Sequence, residues 1–132
     1  MLRCLIALAV TASLVAAETP NPSVQLSLGS DDTVTLTNST EAPIEFSGYG
    51  PTSPLYGMDC LREDGWQEQP VGWCGTGLAT QTLAPGQQTT FQVHSPNEPV
   101  NWRISLSYQV SGTKAWLSVH SNPRHPIADT TD

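Results

Sequence analysis

The chain is poor in positive charge: five lysines and arginines stand against twelve aspartates and glutamates in 132 residues, for a net charge of −7. No basic run offsets that sign. It repels phosphate backbones and anionic headgroups, which argues against nucleic acid and anionic membrane surfaces as partners. Catalytic signatures are missing as well. The sequence holds no G-x-S-x-G elbow, no H-E-x-x-H helix, no C-x-x-C and no G-x-x-x-x-G-K phosphate loop, so it reads as no enzyme and implies no cofactor. Helical stripes are nearly absent too, and without a long helix an α/β reading has no support.

The one long apolar run stands at the start. MLRCLIALAVTASLVAA carries a positive side chain, Arg3, then an apolar stretch from Cys4 to Leu14, then small residues, with Val15 and Ala17 placed for a cut before Glu18. This order predicts an export signal over residues 1–17, and the apolar stretch is shorter than the roughly 20 residues that span a bilayer. A lipid anchor needs a cysteine where Glu18 stands, so a secreted or periplasmic chain with no membrane anchor is expected. The remaining 115 residues suit one compact domain. Arg3 leaves with the signal and the net charge becomes −8.

Cys4 leaves too, and Cys60 and Cys74 remain. In an oxidising compartment the expectation is a disulfide between them, closing a loop of about 15 residues and stabilising the fold by roughly 3 kcal/mol in the chain-entropy model. Two buried thiols, a metal pair and an intermolecular bridge are the alternatives.

After a short lead, Glu18 to Ser23, the period of the sequence is two. Val24, Leu26 and Leu28 alternate with Gln25 and Ser27; Val34 and Leu36 alternate with threonines; Ile44 and Phe46 flank Glu45. Each reads as a half-buried strand, and the clusters Gly29 to Asp32 and Asn38 to Pro43 read as turns. A long loop from Gly48 to Gly57 precedes a strand at Met58 to Arg62. Asp64-Gly65 then suits a tight hairpin, with Trp66 to Glu68 returning. Thr89 to His94, Trp102 to Val110 and Lys114 to His120 complete the strands, with Leu117 and Val119 expected on the buried face. The strongest signal is Trp102, Ile104, Leu106, Tyr108 and Val110 alternating with Arg103, Ser105, Ser107 and Gln109. Residues 24–120 are thus expected to form an all-β antiparallel sandwich of about seven strands, with a barrel as the alternative, and residues 121–132 a flexible tail.

The succession Val34-Thr35-Leu36-Thr37-Asn38, Pro43-Ile44-Glu45-Phe46, Gly65-Trp66 and Trp73-Cys74-Gly75-Thr76-Gly77-Leu78, then Leu83-Ala84-Pro85-Gly86, Phe91-Gln92-Val93 and Trp102 to Tyr108, resembles bacterial exported immunoglobulin-like domains of uncharacterised function. That resemblance covers roughly residues 24 to 120. It implies an immunoglobulin-like sandwich and no particular activity. The short separation of Cys60 and Cys74 departs from antibody domains, which bridge two sheets across a much longer interval.

Four aromatics, Tyr49, Tyr56, Trp66 and Trp73, lie in or beside the irregular middle rather than on the strongest strands. They make the candidate binding surface, for a glycan or a protein partner, unless they only cover the core beneath the long loop. No catalytic or metal-binding residue is assigned. His94, His120 and His125 with Met58 match no ligand spacing, so an exported metal carrier is the weakest reading. Cys74 could act as a nucleophile only with a free thiolate beside His94 or His120. Asn38-Ser39-Thr40 matches a glycosylation sequon and reads more simply as a turn. The expected role is a non-catalytic exported binding or interaction module, with a carbohydrate-binding module or a protease inhibitor presenting Ser47 to Gly57 as alternatives.

Overall fold

The computed structural model describes residues 23–73 and 75–126. The expected export signal over residues 1–17, most of the lead, Cys74 and residues 127–132 lie outside them. The described residues are all-β, with nine antiparallel strands and no helix. The strands are β1 (Val24–Leu28), β2 (Thr33–Asn38), β3 (Ile44–Gly48), β4 (Gly57–Arg62), β5 (Gly65–Gln69), β6 (Ala79–Leu83), β7 (Gln88–Gln92), β8 (Trp102–Val110) and β9 (Leu117–His120). They form a three-stranded sheet in the order β1-β2-β7 and a six-stranded sheet in the order β5-β4-β8-β3-β6, with β9 also paired to β8. This is the β-sandwich that the alternation predicts.

Alternation builds the core between the sheets. Val34 and Leu36 from β2, Ile44 and Phe46 from β3, and Ile104 and Leu106 from β8 are each at most 2% exposed. Each such side chain contributes about 1.5–3 kcal/mol by leaving water. Phe91 and Val93 face inward.

Three departures have physical causes. β6 is a strand that alternation does not announce, because only Leu83 of Ala79–Leu83 is buried; its pairing with β3 and its two threonines carry it. The β4–β5 hairpin forms with Glu63 and Asp64 at its tip, and Gly65 follows at φ 110°. Leu117 is 45% exposed rather than buried. Val119 packs against the core, whereas Leu117 lies opposite Tyr108, itself only half-buried, at the end of the β8–β9 pairing.

Beyond β9 the chain stays on the fold through Arg124, although the sequence reads there as tail. The Ser121 N–H donates to Ile104 O (2.8 Å), and its hydroxyl accepts from the Ile104 N–H (2.9 Å). Asn122 imitates a neighbouring strand: its side chain accepts from the Leu28 N–H (2.8 Å) and donates to Leu28 O (3.0 Å). Arg124 exchanges backbone hydrogen bonds with Trp102 (2.8 and 3.0 Å) and pairs with Asp32. The segment therefore prolongs β9 along β8 and seams the larger sheet to β1. Polar side chains do this, which is why hydrophobic patterning does not reveal it.

Asn38 does similar work at the other end. It is fully buried, and its amide donates to Ala42 O (2.9 Å) and Leu83 O (3.0 Å) while its oxygen accepts from the Thr40 N–H (3.0 Å) and hydroxyl (2.6 Å). Both amide hydrogens are thus committed, one to the turn and one to β6. This sequon asparagine is a structural fastener.

Candidate functional site

Directly paired residues on neighbouring strands share a face of the sheet. Asp59 opposite Arg103, Gly57 opposite Ser105 and Ser105 opposite His120 therefore all sit on the outer face of the larger sheet, away from the core. Along β8 the neighbour changes on this face: β4 pairs with Trp102 to Ser105, and β3 pairs with Gln109 and Val110. At that change-over lies a groove of about 450 Å³. Its floor is built from Ser47, Gly57, Ser105 and Ser107, and Trp73 and Trp116 also line it, with Glu68 and Gln69 from β5.

Two glycines keep this region open. A Cβ on Gly57 would lie 2.6 Å from the Ser105 hydroxyl, so glycine leaves that hydroxyl reachable from the groove. A Cβ on Gly48 would meet Ser53 O at 2.8 Å, so glycine lets the following loop fold back. The Leu55 N–H donates to Ser47 O (2.8 Å), and Pro54 and Tyr56 are buried. The segment from Ser47 to Gly57, considered above as a protease-inhibiting loop, is thus packed down against β3.

The structure brings three of the four candidate aromatics together. Trp73 stacks on Tyr49 with ring centroids 5.9 Å apart and meets Tyr56 edge-on at 4.8 Å. Its indole N–H donates to Tyr56 O (3.0 Å), which fixes the ring while leaving it 36% exposed. Tyr56 is the buried base of this cluster at 9% exposure, and burial pushes its phenol above the ordinary value, against the opposing backbone of His94. Trp66 is separate. It lies under the Arg103 guanidinium, 4.3 Å from its ring centre, at the other end of the outer face. There Arg103 donates to Asp59 (3.1 Å), and the His120 ring lies 3.4 Å from the same carboxylate.

Trp116 is the residue that sequence reading passes over. At 57% exposure it is the most exposed of the large apolar side chains described. It stands just before β9, where a solitary aromatic beside Lys114 and Ala115 reads as strand filler. Only the groove, which sets it with Trp73 around a serine floor, distinguishes it.

Cys60 faces the core from β4, 1% exposed, and carries a free thiol. The expected bridge to Cys74 is not seen; Cys74 itself lies outside the described residues. Alternation in β4 sends Met58 and Cys60 between the sheets. Burial pushes the Cys60 thiol up, and nearby Arg62 opposes this only in part. Such a thiol is a poor nucleophile. The three histidines are scattered over exposed positions, His120 beside Asp59 and His125 beside Asn101 (3.0 Å). Among the described residues no three His, Cys, Asp or Glu side chains gather as a metal set. Compared with family models, curated proteins and solved structures, the chain finds no match in any of the three.

Proposed function

We propose that this chain is an exported, non-catalytic binding domain of immunoglobulin-like type, and that it binds through the outer face of its larger sheet. The observation that carries this reading is the pair of exposed indoles, Trp73 and Trp116, lining one groove. Exposed tryptophan is costly to leave in water, and clustered aromatic anchors mark interaction sites. The residue order of positions 1–17 supports export. Cys60, the one described cysteine, is buried with its thiol pushed up, which supports a role without covalent catalysis.

Two measurements test the proposal. Expression of the full chain with its own first seventeen residues should yield an exported form whose N-terminus is Glu18; an intracellular product still starting at Met1 would sink the export half. The pure mature chain should be retained on arrays of immobilised glycans or peptides and should turn over no ester, glycoside, phosphomonoester or peptide amide. Turnover that scales with protein concentration would overturn the non-catalytic half.

A further inference from the structure

Resting on that binding role, we infer that the groove lined by Trp73 and Trp116 takes an uncharged oligosaccharide, its sugar rings laid against the two indoles. A sugar ring is apolar on its C–H faces and dense in hydroxyls at its rim. The groove has matching parts. Both indoles present apolar ring surface to solvent, and Trp73 is held at a fixed angle by Tyr49, Tyr56 and its own N–H hydrogen bond. A ring already fixed loses little entropy when a ligand stacks on it.

The floor supplies the polar half. Ser47, Ser105 and Ser107 line it, and among the described residues their hydroxyls make no hydrogen bond within the protein. Each hydroxyl is a donor and an acceptor, and Gln69 adds an amide with both functions. A ligand rich in hydroxyls uses all of these. A proline-rich peptide, the other ligand that stacks on aromatic grooves, brings carbonyls but lacks the N–H of each proline, so it leaves the acceptors unmatched. An extended peptide adding a strand would use a sheet edge, and this groove lies on a sheet face.

Charge selects within the class. Among the described residues Glu68 is the one charged side chain lining the groove, with no Lys, Arg or His there, and the whole chain carries −7. Uronate-rich or sulfated glycans would meet repulsion with no cation to offset it. The volume, about 450 Å³, lies within the roughly 300–1,000 Å³ of ordinary small-ligand sites. Tyr49, stacked on Trp73 but not itself lining the groove, extends the aromatic surface and suits a chain of sugars over a single ring.

The test uses the mature chain with immobilised chitohexaose, cellohexaose, xylohexaose and maltohexaose, beside heparin, polygalacturonate and a proline-rich peptide array. At least one uncharged hexasaccharide should retain the protein. Trp116→Ala should weaken that binding by roughly tenfold or more, while Trp116→Phe recovers most of it. Ser107→Tyr, which keeps both indoles and fills the floor, should weaken it as much. Binding of an uncharged sugar that survives both Trp116→Ala and Ser107→Tyr would overturn the site. Retention on peptides alone, lost in Trp116→Ala, would overturn the sugar assignment and leave the binding role standing. Retention on no surface would overturn both.

Discussion

Alternate residues of β8 belong to two surfaces with different duties. Trp102, Ile104 and Leu106 point between the sheets and are at most 3% exposed, whereas Arg103, Ser105 and Ser107 point outward and keep contact with water. The inner row is apolar and closely packed, so its loss should be felt as stability. The outer row is polar and lies beside a groove, so its loss should be felt as binding. One strand thus carries the fold on one side and the candidate site on the other, and substitutions one residue apart should separate the two.

The largest effect is expected on the inner row. Ile104→Ala leaves a cavity at a position with no exposure and should cost about 2–5 kcal/mol in urea unfolding. Ser105→Ala, its neighbour, should stay within about 0.5 kcal/mol. Equal losses at the two positions would erase the distinction between the faces. Next comes Asn38→Ala, which takes the amide donor from Leu83 O and the acceptor from the Thr40 N–H and should cost about 1–3 kcal/mol.

Cys60→Ser places a hydroxyl in an apolar site and should cost about 1–3 kcal/mol. The thiol itself offers a chemical check. Native Cys60 should resist iodoacetamide and then react on denaturation without reductant; a need for reductant would show it bridged, against the free thiol seen in β4.

The smallest effect is acidic. Arg62 holds Glu98 below the ordinary carboxylate value, and hydrogen bonds at Thr33 do the same for Asp31. A carboxylate lowered on folding supports the fold above its unfolded value, near 4.5 for Glu98, and that support is lost as pH falls through the lower folded value. Both groups are exposed, so water screens them. Stability should be level from neutral pH to about pH 5 and dip modestly below it, and Glu98→Gln should shallow that dip slightly. A dip of unchanged depth in Glu98→Gln would assign it to other carboxylates.

The same contrast explains what was legible in the sequence. β1, β2, β3 and β8 announce themselves because one face is apolar and the other polar, and period two is the mark of a strand between core and water. β6 does not, since as an edge strand it buries only Leu83. The seam from Ser121 to Arg124 is invisible to hydropathy because Ser121, Asn122 and Arg124 hold it by hydrogen bonds and an ion pair. For the site, Trp73 and Tyr49 stood out as aromatics in an irregular stretch, and the structure joins them. Trp66 stood out for the same reason, yet it is covered by Arg103. Trp116 gave no local signal. Its meaning comes from three strands and a loop converging on the groove floor, a relation between residues some sixty positions apart.

The most direct test measures fold and binding on one sample of Trp116→Ala. Its side chain is 57% exposed and outside the core. The unfolding free energy should stay within about 0.5 kcal/mol of the parent while retention on the uncharged hexasaccharide falls by roughly tenfold or more. A variant that loses stability in step with binding, or keeps its full binding, would contradict the division between an inner face that folds the chain and an outer face that binds.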